Sequence, residues 1–66
     1  MKIIVNQKLL VFDDKMSLEG LLANLAIPKK YMAVEINEII IPKSEYIEYQ
    51  LKDGDVVEII NAVGGG

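Results

Sequence analysis

The sequence predicts an α+β domain in which one main helix packs on one face of a single mixed sheet of about five strands. Three observations carry that expectation. Short runs rich in Ile, Val and Leu recur along the chain, divided by turn residues such as Asn37-Glu38 and Asp53-Gly54. One stretch, residues 17–26, has helical rather than alternating apolar spacing. A single amphipathic helix cannot close a core alone, so it must cover a sheet.

KIIVN (2–6) and LLVF (9–12), divided by Gln7-Lys8, read as a β-hairpin, because Asn6 tolerates a left-handed backbone. Ser17 reads as a helix N-cap, with Met16 and Leu21 placed as a hydrophobic staple. Glu19 suits the positive end of the helix dipole. Leu18, Leu21, Leu22 and Leu25 form one apolar stripe at i, i+3, i+4 and i+7. Gly20 interrupts it and is expected to permit close approach of helix and sheet. Pro28 disfavours the α conformation at Ile27, which ends the helix at about Ala26.

MAVEIN (32–37) alternates as a half-buried strand, with Met32, Val34 and Ile36 on one face. Asn37-Glu38 turns the chain into EIII (38–41), which Pro42 stops. In SEYIEYQL (44–51) Ser44 is a candidate cap for a short helical turn anchored by Tyr46, Ile47 and Leu51. DVVEIINAV (55–63) is the last strand. With the first and last strands central and the helix across one face, this is the arrangement of a β-grasp, ubiquitin-like domain. Residues 1–61 form the domain and 62–66 a flexible C-terminal tail on this reading.

Composition excludes several functions. The 66 residues contain no His, Cys, Trp or Arg, so the usual general base, the strongest nucleophile and the bidentate phosphate clamp are missing. An enzyme acting alone and a transition-metal site are not expected, and no metal ligands are assigned. The net charge of −3 argues against nucleic acid, which calls for a clustered basic patch. No apolar run approaches the roughly 20 residues of a membrane span, and no signal peptide is evident, so a cytoplasmic location is expected. Glu45 and Glu48, and Asp53 and Asp55 around Gly54, read as solvated or turn carboxylates, not as an acid/base pair or a calcium loop.

Two features remain as candidate sites. Strand alternation puts Lys2, Ile4, Asn6, Val56, Glu58 and Ile60 on the face away from the helix. Ile4, Val56 and Ile60 with Glu58 would form an apolar patch rimmed by charge, the form of a protein-binding surface. The second is the end of the chain, where three of the five glycines are Gly64, Gly65 and Gly66. Glycine has no Cβ, so nothing crowds a reacting terminal carbonyl. Residues 62–66, extended, span roughly 17 Å, enough to thread into a buried site on another protein. A phosphate-cradling loop needs a helix after its glycines. None follows Gly66, so this chain is expected to bind no cofactor itself.

Asn37 with the following EIIIPKSEY, LKDGDVVEI (51–59) and, most specifically, Ala62-Val63-Gly64-Gly65-Gly66 resemble the thiamine-biosynthesis sulfur carrier proteins, the ThiS family. The resemblance spans the whole chain. It departs at Glu38, where the family commonly has glycine, and at Lys43, where Arg is common. It implies that a partner adenylyltransferase of the E1-like class uses ATP to adenylate the Gly66 carboxylate. A sulfur-delivering persulfide protein then converts it to a thiocarboxylate, which donates sulfur to thiazole synthase. Ala62, Val63, Gly64 and Gly65 would thread into those partners. The small sulfur-carrying subunit of molybdopterin synthase shares this fold and tail and is the alternative. A ubiquitin-like modifier and a plain interaction module are the readings from other classes.

Overall fold

The structure, a computed structural model, describes residues 1–27 and 32–61, without the side chains of Met32 and Asn61. Its elements in chain order are β1 (Lys2–Val5), β2 (Lys8–Val11), α1 (Leu18–Asn24), β3 (Met32–Ile36), β4 (Ile39–Ile41), a 3-10 turn (Lys43–Glu45) and β5 (Val56–Asn61). The strands form one sheet in the order β2-β1-β5-β3-β4. β1 and β5 are parallel neighbours and every other pair is antiparallel. The first and last strands are therefore central, as the sequence predicts.

Both hairpins close through two-residue turns with two positive φ values. Asn6 and Gln7 have φ 48° and 72°, and Asn37 and Glu38 have 52° and 69°. The flanking pairs, Val5↔Lys8 and Ile36↔Ile39, fix this geometry as type I′, whose twist matches that of the strands. The loop of the first hairpin is thus Asn6-Gln7, not Gln7-Lys8, and Glu38 belongs to the second turn, not to β4. Asparagine suits the first turn position. Gln7 and Glu38 occupy the second, where a side chain strains against the backbone and glycine does not.

The helix begins as the sequence predicts. The Ser17 Oγ accepts the Gly20 N–H at 3.0 Å. The Leu18 and Glu19 N–H groups donate to the carbonyls of Tyr49 (2.8 Å) and Tyr46 (3.0 Å), so the first N–H groups of the helix are all partnered. Gly20 does not serve helix–sheet approach. A Cβ there would meet Met16 at 3.2 Å and Ser17 at 3.3 Å, so its small size accommodates the capping residues. The helix also ends earlier than Pro28 suggests. Ala26 adopts φ 56° and donates to the Ala23 carbonyl at 3.1 Å, while Ile27 donates to the Leu22 carbonyl at 3.0 Å. That is a Schellman motif with alanine where glycine is usual.

Leu18, Leu21 and Leu22 are buried against Ile3, Val5, Val34, Ile36 and Val57 of the sheet. Full burial of each such side chain contributes about 1.5–3 kcal/mol. Tyr46 and Leu51 close the open end of this core, but Ile47 does not, being 65% exposed. The turn around Ser44 follows Pro42 and has no side-chain cap, so Ser44 is not the cap expected of it. Strain at Gln7, Glu38 and Ala26 predicts that Gln7→Gly, Glu38→Gly and Ala26→Gly each stabilise the domain by about 0.5–1 kcal/mol in urea unfolding, the relief of the left-handed side-chain penalty outweighing the added entropy of the unfolded chain.

Tyr46 is 1% exposed, and its hydroxyl makes no hydrogen bond of good geometry among the described residues. Burial pushes the phenol above its usual value of 10.0, opposed in smaller measure by the Val34 backbone. The folded form therefore holds this proton more tightly than the unfolded chain does. The stability this contributes is complete below pH 10.0 and is lost as pH rises through the folded value. Urea unfolding at pH 8 and pH 11 should show a smaller alkaline loss for Tyr46→Phe than for the wild type, with no loss of stability at pH 8.

Candidate functional site

β5 is the strand from which the chain runs on toward Ala62–Gly66, and the fold holds it from both sides. β3 pairs with it from Ile36↔Val57 to Met32↔Asn61. β1 pairs with it only at Ile4↔Val56 and Val5↔Val57. The two turn asparagines extend this grip through their side chains. The Asn37 Oδ1 accepts the Val56 N–H at 3.0 Å, and its Nδ2 donates to Asp55 Oδ1 at 3.0 Å. The Asn6 Oδ1 accepts the Ile59 N–H at 2.7 Å, and its Nδ2 donates to the Ile59 carbonyl at 3.3 Å. Asp55, 7% exposed, also accepts the Lys52 N–H at 2.8 Å, and Asp53 accepts the Lys2 N–H at 2.7 Å. Those two carboxylates are spent on the backbone around the Gly54 turn, where φ is 90°, and, for Asp55, on the Asn37 amide as well.

The alternation places Ile4, Val56, Glu58 and Ile60 on the sheet face away from α1. Ile4 is 38%, Val56 41% and Ile60 46% exposed, and Glu58 is exposed. Ile4 and Val56 are direct cross-strand partners. The same face is wider than sequence reasoning found. Leu9 pairs with Ile4, Val11 with Lys2 and Ile40 with Glu35, and all three apolar side chains are more than 60% exposed. The runs KLLV and III hide their alternation because apolar residues fall on both faces and Lys8 stands opposite the buried Val5. Only the register against β1 and β3 reveals which residues point out.

Glu58 lies directly opposite Glu35 near the middle of this face. Like charges across a strand pair repel. Among the described residues no group of acidic, His or Cys side chains is placed to hold a metal ion, and no helix is long and apolar enough to cross a membrane. The candidate tail residues Ala62, Val63, Gly64, Gly65 and Gly66 lie outside the described residues, as does the end of the expected strand 55–63.

A mixed five-stranded sheet clasping one helix, with its last strand central and leading toward a glycine-rich end, defines a β-grasp domain of the ubiquitin-like type. The chain belongs to the ThiS family, whose sequence profile matches residues 1–66. It is 43% identical over 53 residues to the sulfur carrier protein ThiS of Bacillus subtilis, covering 80% of each chain. It is 39% identical over all 66 residues to a thiazole synthase of Paramagnetospirillum magneticum, and spans 20% of that longer protein. The crystal structure of the thiamine biosynthesis protein ThiS from Geobacter metallireducens superposes with a TM-score of 0.86 at 30% identity, each chain covered completely.

Removing the central repulsion with Glu58→Gln is expected to stabilise the domain by about 0.2–0.5 kcal/mol at low salt. The gain should shrink as ionic strength rises, which urea melts at two salt concentrations would show.

Proposed function

We propose that this chain is a sulfur carrier for thiamine biosynthesis, with the Gly66 carboxylate as the group that carries the sulfur. The family match across residues 1–66, which takes in the Ala-Val-Gly-Gly-Gly end, is the observation that carries this reading. The names of the Bacillus and Geobacter relatives support it. The thiazole synthase relative, which contains a segment matching the whole of this chain, supports thiazole synthase as the acceptor.

The chemistry follows from what a carboxylate lacks. It is anionic and has a poor leaving group, so a sulfur nucleophile cannot displace its oxygen. An E1-like adenylyltransferase partner, binding ATP in its own site, removes both obstacles. A Gly66 carboxylate oxygen attacks the α-phosphorus, pyrophosphate departs, and a mixed anhydride with AMP forms. The terminal sulfur of a protein persulfide then attacks the activated carbonyl and AMP leaves. A thiol cleaves the resulting acyl disulfide, becoming oxidised to a disulfide itself, and the thiocarboxylate remains. Thiazole synthase takes up that sulfur and the carboxylate returns.

The domain contributes presentation to this cycle. Gly64 and Gly65 carry no Cβ to crowd the approach to Gly66, and ordering each residue of 62–66 in a partner's channel would cost roughly 1–2 kcal/mol. The exposed outer face offers an apolar surface whose burial would offset that cost. Nothing in the relatives' names favours the molybdopterin-synthase alternative.

Intact-mass analysis of the protein purified from thiamine-producing cells should show a fraction heavier by one sulfur minus one oxygen. That fraction should disappear on hydrolysis. Deleting Gly66 should abolish it while leaving the unfolding midpoint unchanged. Thiazole formation supported by the deletion variant would sink the proposal.

A further inference from the structure

Among the described residues no strand lies beside β5 on the β1 side past Val57, because β1 turns away at Asn6. Asn6 replaces the missing strand. Its backbone N–H donates to the Val57 carbonyl at 2.9 Å. Its side-chain amide then engages both the N–H and the carbonyl of Ile59, at 2.7 and 3.3 Å. A primary amide carries the same donor and acceptor as a peptide group, so this one side chain prolongs the parallel ladder by a further step. On the opposite side β3 continues to Asn61. Ile59 is thereby held from both sides, two residues before the strand ends.

We infer that Asn6 is a positioning residue for the reactive end of the chain. Its side-chain amide sets the point at which the backbone leaves the sheet and so limits the length a partner must order. This rests on Gly66 being the group that reacts. Without the amide, β3 alone holds the last residues of β5, and a strand end held along one edge opens locally more often. Three further residues, 59–61, then join the segment to be ordered, roughly 10 Å of extended chain.

The fold supplies its own control. Asn37 occupies the same turn position, with the same positive φ, and clamps Val56 at the opposite end of β5. Asn6→Gly and Asn37→Gly both keep the left-handed turn, which glycine adopts freely, and both delete the amide. A purely structural role predicts like effects from the two. The positioning role predicts different ones.

The first readout is amide hydrogen exchange in the free protein. The Ile60 amide should exchange faster in Asn6→Gly and at the wild-type rate in Asn37→Gly. The second is pyrophosphate release with the adenylyltransferase and ATP, at a temperature where melting curves show all three proteins folded. Asn6→Gly should raise the KM for the carrier at least about fivefold with kcat unchanged, the factor given by ordering even one of residues 59–61 at about 1 kcal/mol. Asn37→Gly should leave both constants near wild type. An Ile60 amide as protected in Asn6→Gly as in the wild type, or equal KM values for the two variants, overturns the inference. Wild-type protein that releases no pyrophosphate overturns the carrier reading instead, and the exchange comparison then decides by itself whether Asn6 holds the strand.

Discussion

The pairing of β5 between β1 and β3 is the constraint on which the rest of the molecule depends. Val57, fully buried at its centre, packs in the core with the residues that α1 covers. The parallel contact with β1 is short, two register positions, and two asparagine side chains lengthen the hold on β5. Each of these asparagines does two things at once. Its backbone takes the left-handed conformation that a two-residue hairpin demands, and its amide engages β5. The turn geometry and the central strand are therefore coupled through the same two residues.

Much of this was legible in the sequence because it obeys local rules. The Ser17 cap, the leucine stripe, the asparagine turns and the alternation of β1, β3 and β5 all depend on residues a few positions apart. The features that were not legible depend on distant partners or on broken preferences. Asn6 reaches a residue 53 positions away and Asn37 one 19 away, which no local pattern encodes. Ala26 takes a conformation that glycine usually supplies, so the nearby Pro28 pointed to a later stop. Leu9, Val11 and Ile40 sit in runs where no polar residue marks the outward face, Lys8 itself standing opposite the buried Val5. The outward facing of Ile47 is not legible because a short helical turn leaves the facing of each side chain open. The role read for the tail rests on its glycines and on the family resemblance, and residues 62–66 lie outside the described residues.

The outer face shows what stability gives way to. A domain this small buries a modest fraction of its surface, yet it leaves Leu9, Val11, Ile40, Ile60, Val56 and Ile4 in solvent and sets Glu35 against Glu58. Neither feature helps the isolated fold. Both suit a surface that spends part of its time against another protein, where apolar groups leave water and a cationic group can neutralise the carboxylates. On the proposed cycle two enzymes must be met in turn, so the contact has to be adequate and still reversible.

The parallel partnership of β1 with β5 has a consequence during synthesis. Ile4 and Val56 pair although they stand 52 positions apart in sequence, so the two strands cannot meet until all the chain between them has been made. Loop closure on that scale is slow and comes late in folding. Until then the core lacks Val57. Completing the core and forming the strand that leads toward the glycine-rich end are therefore one late event, not two.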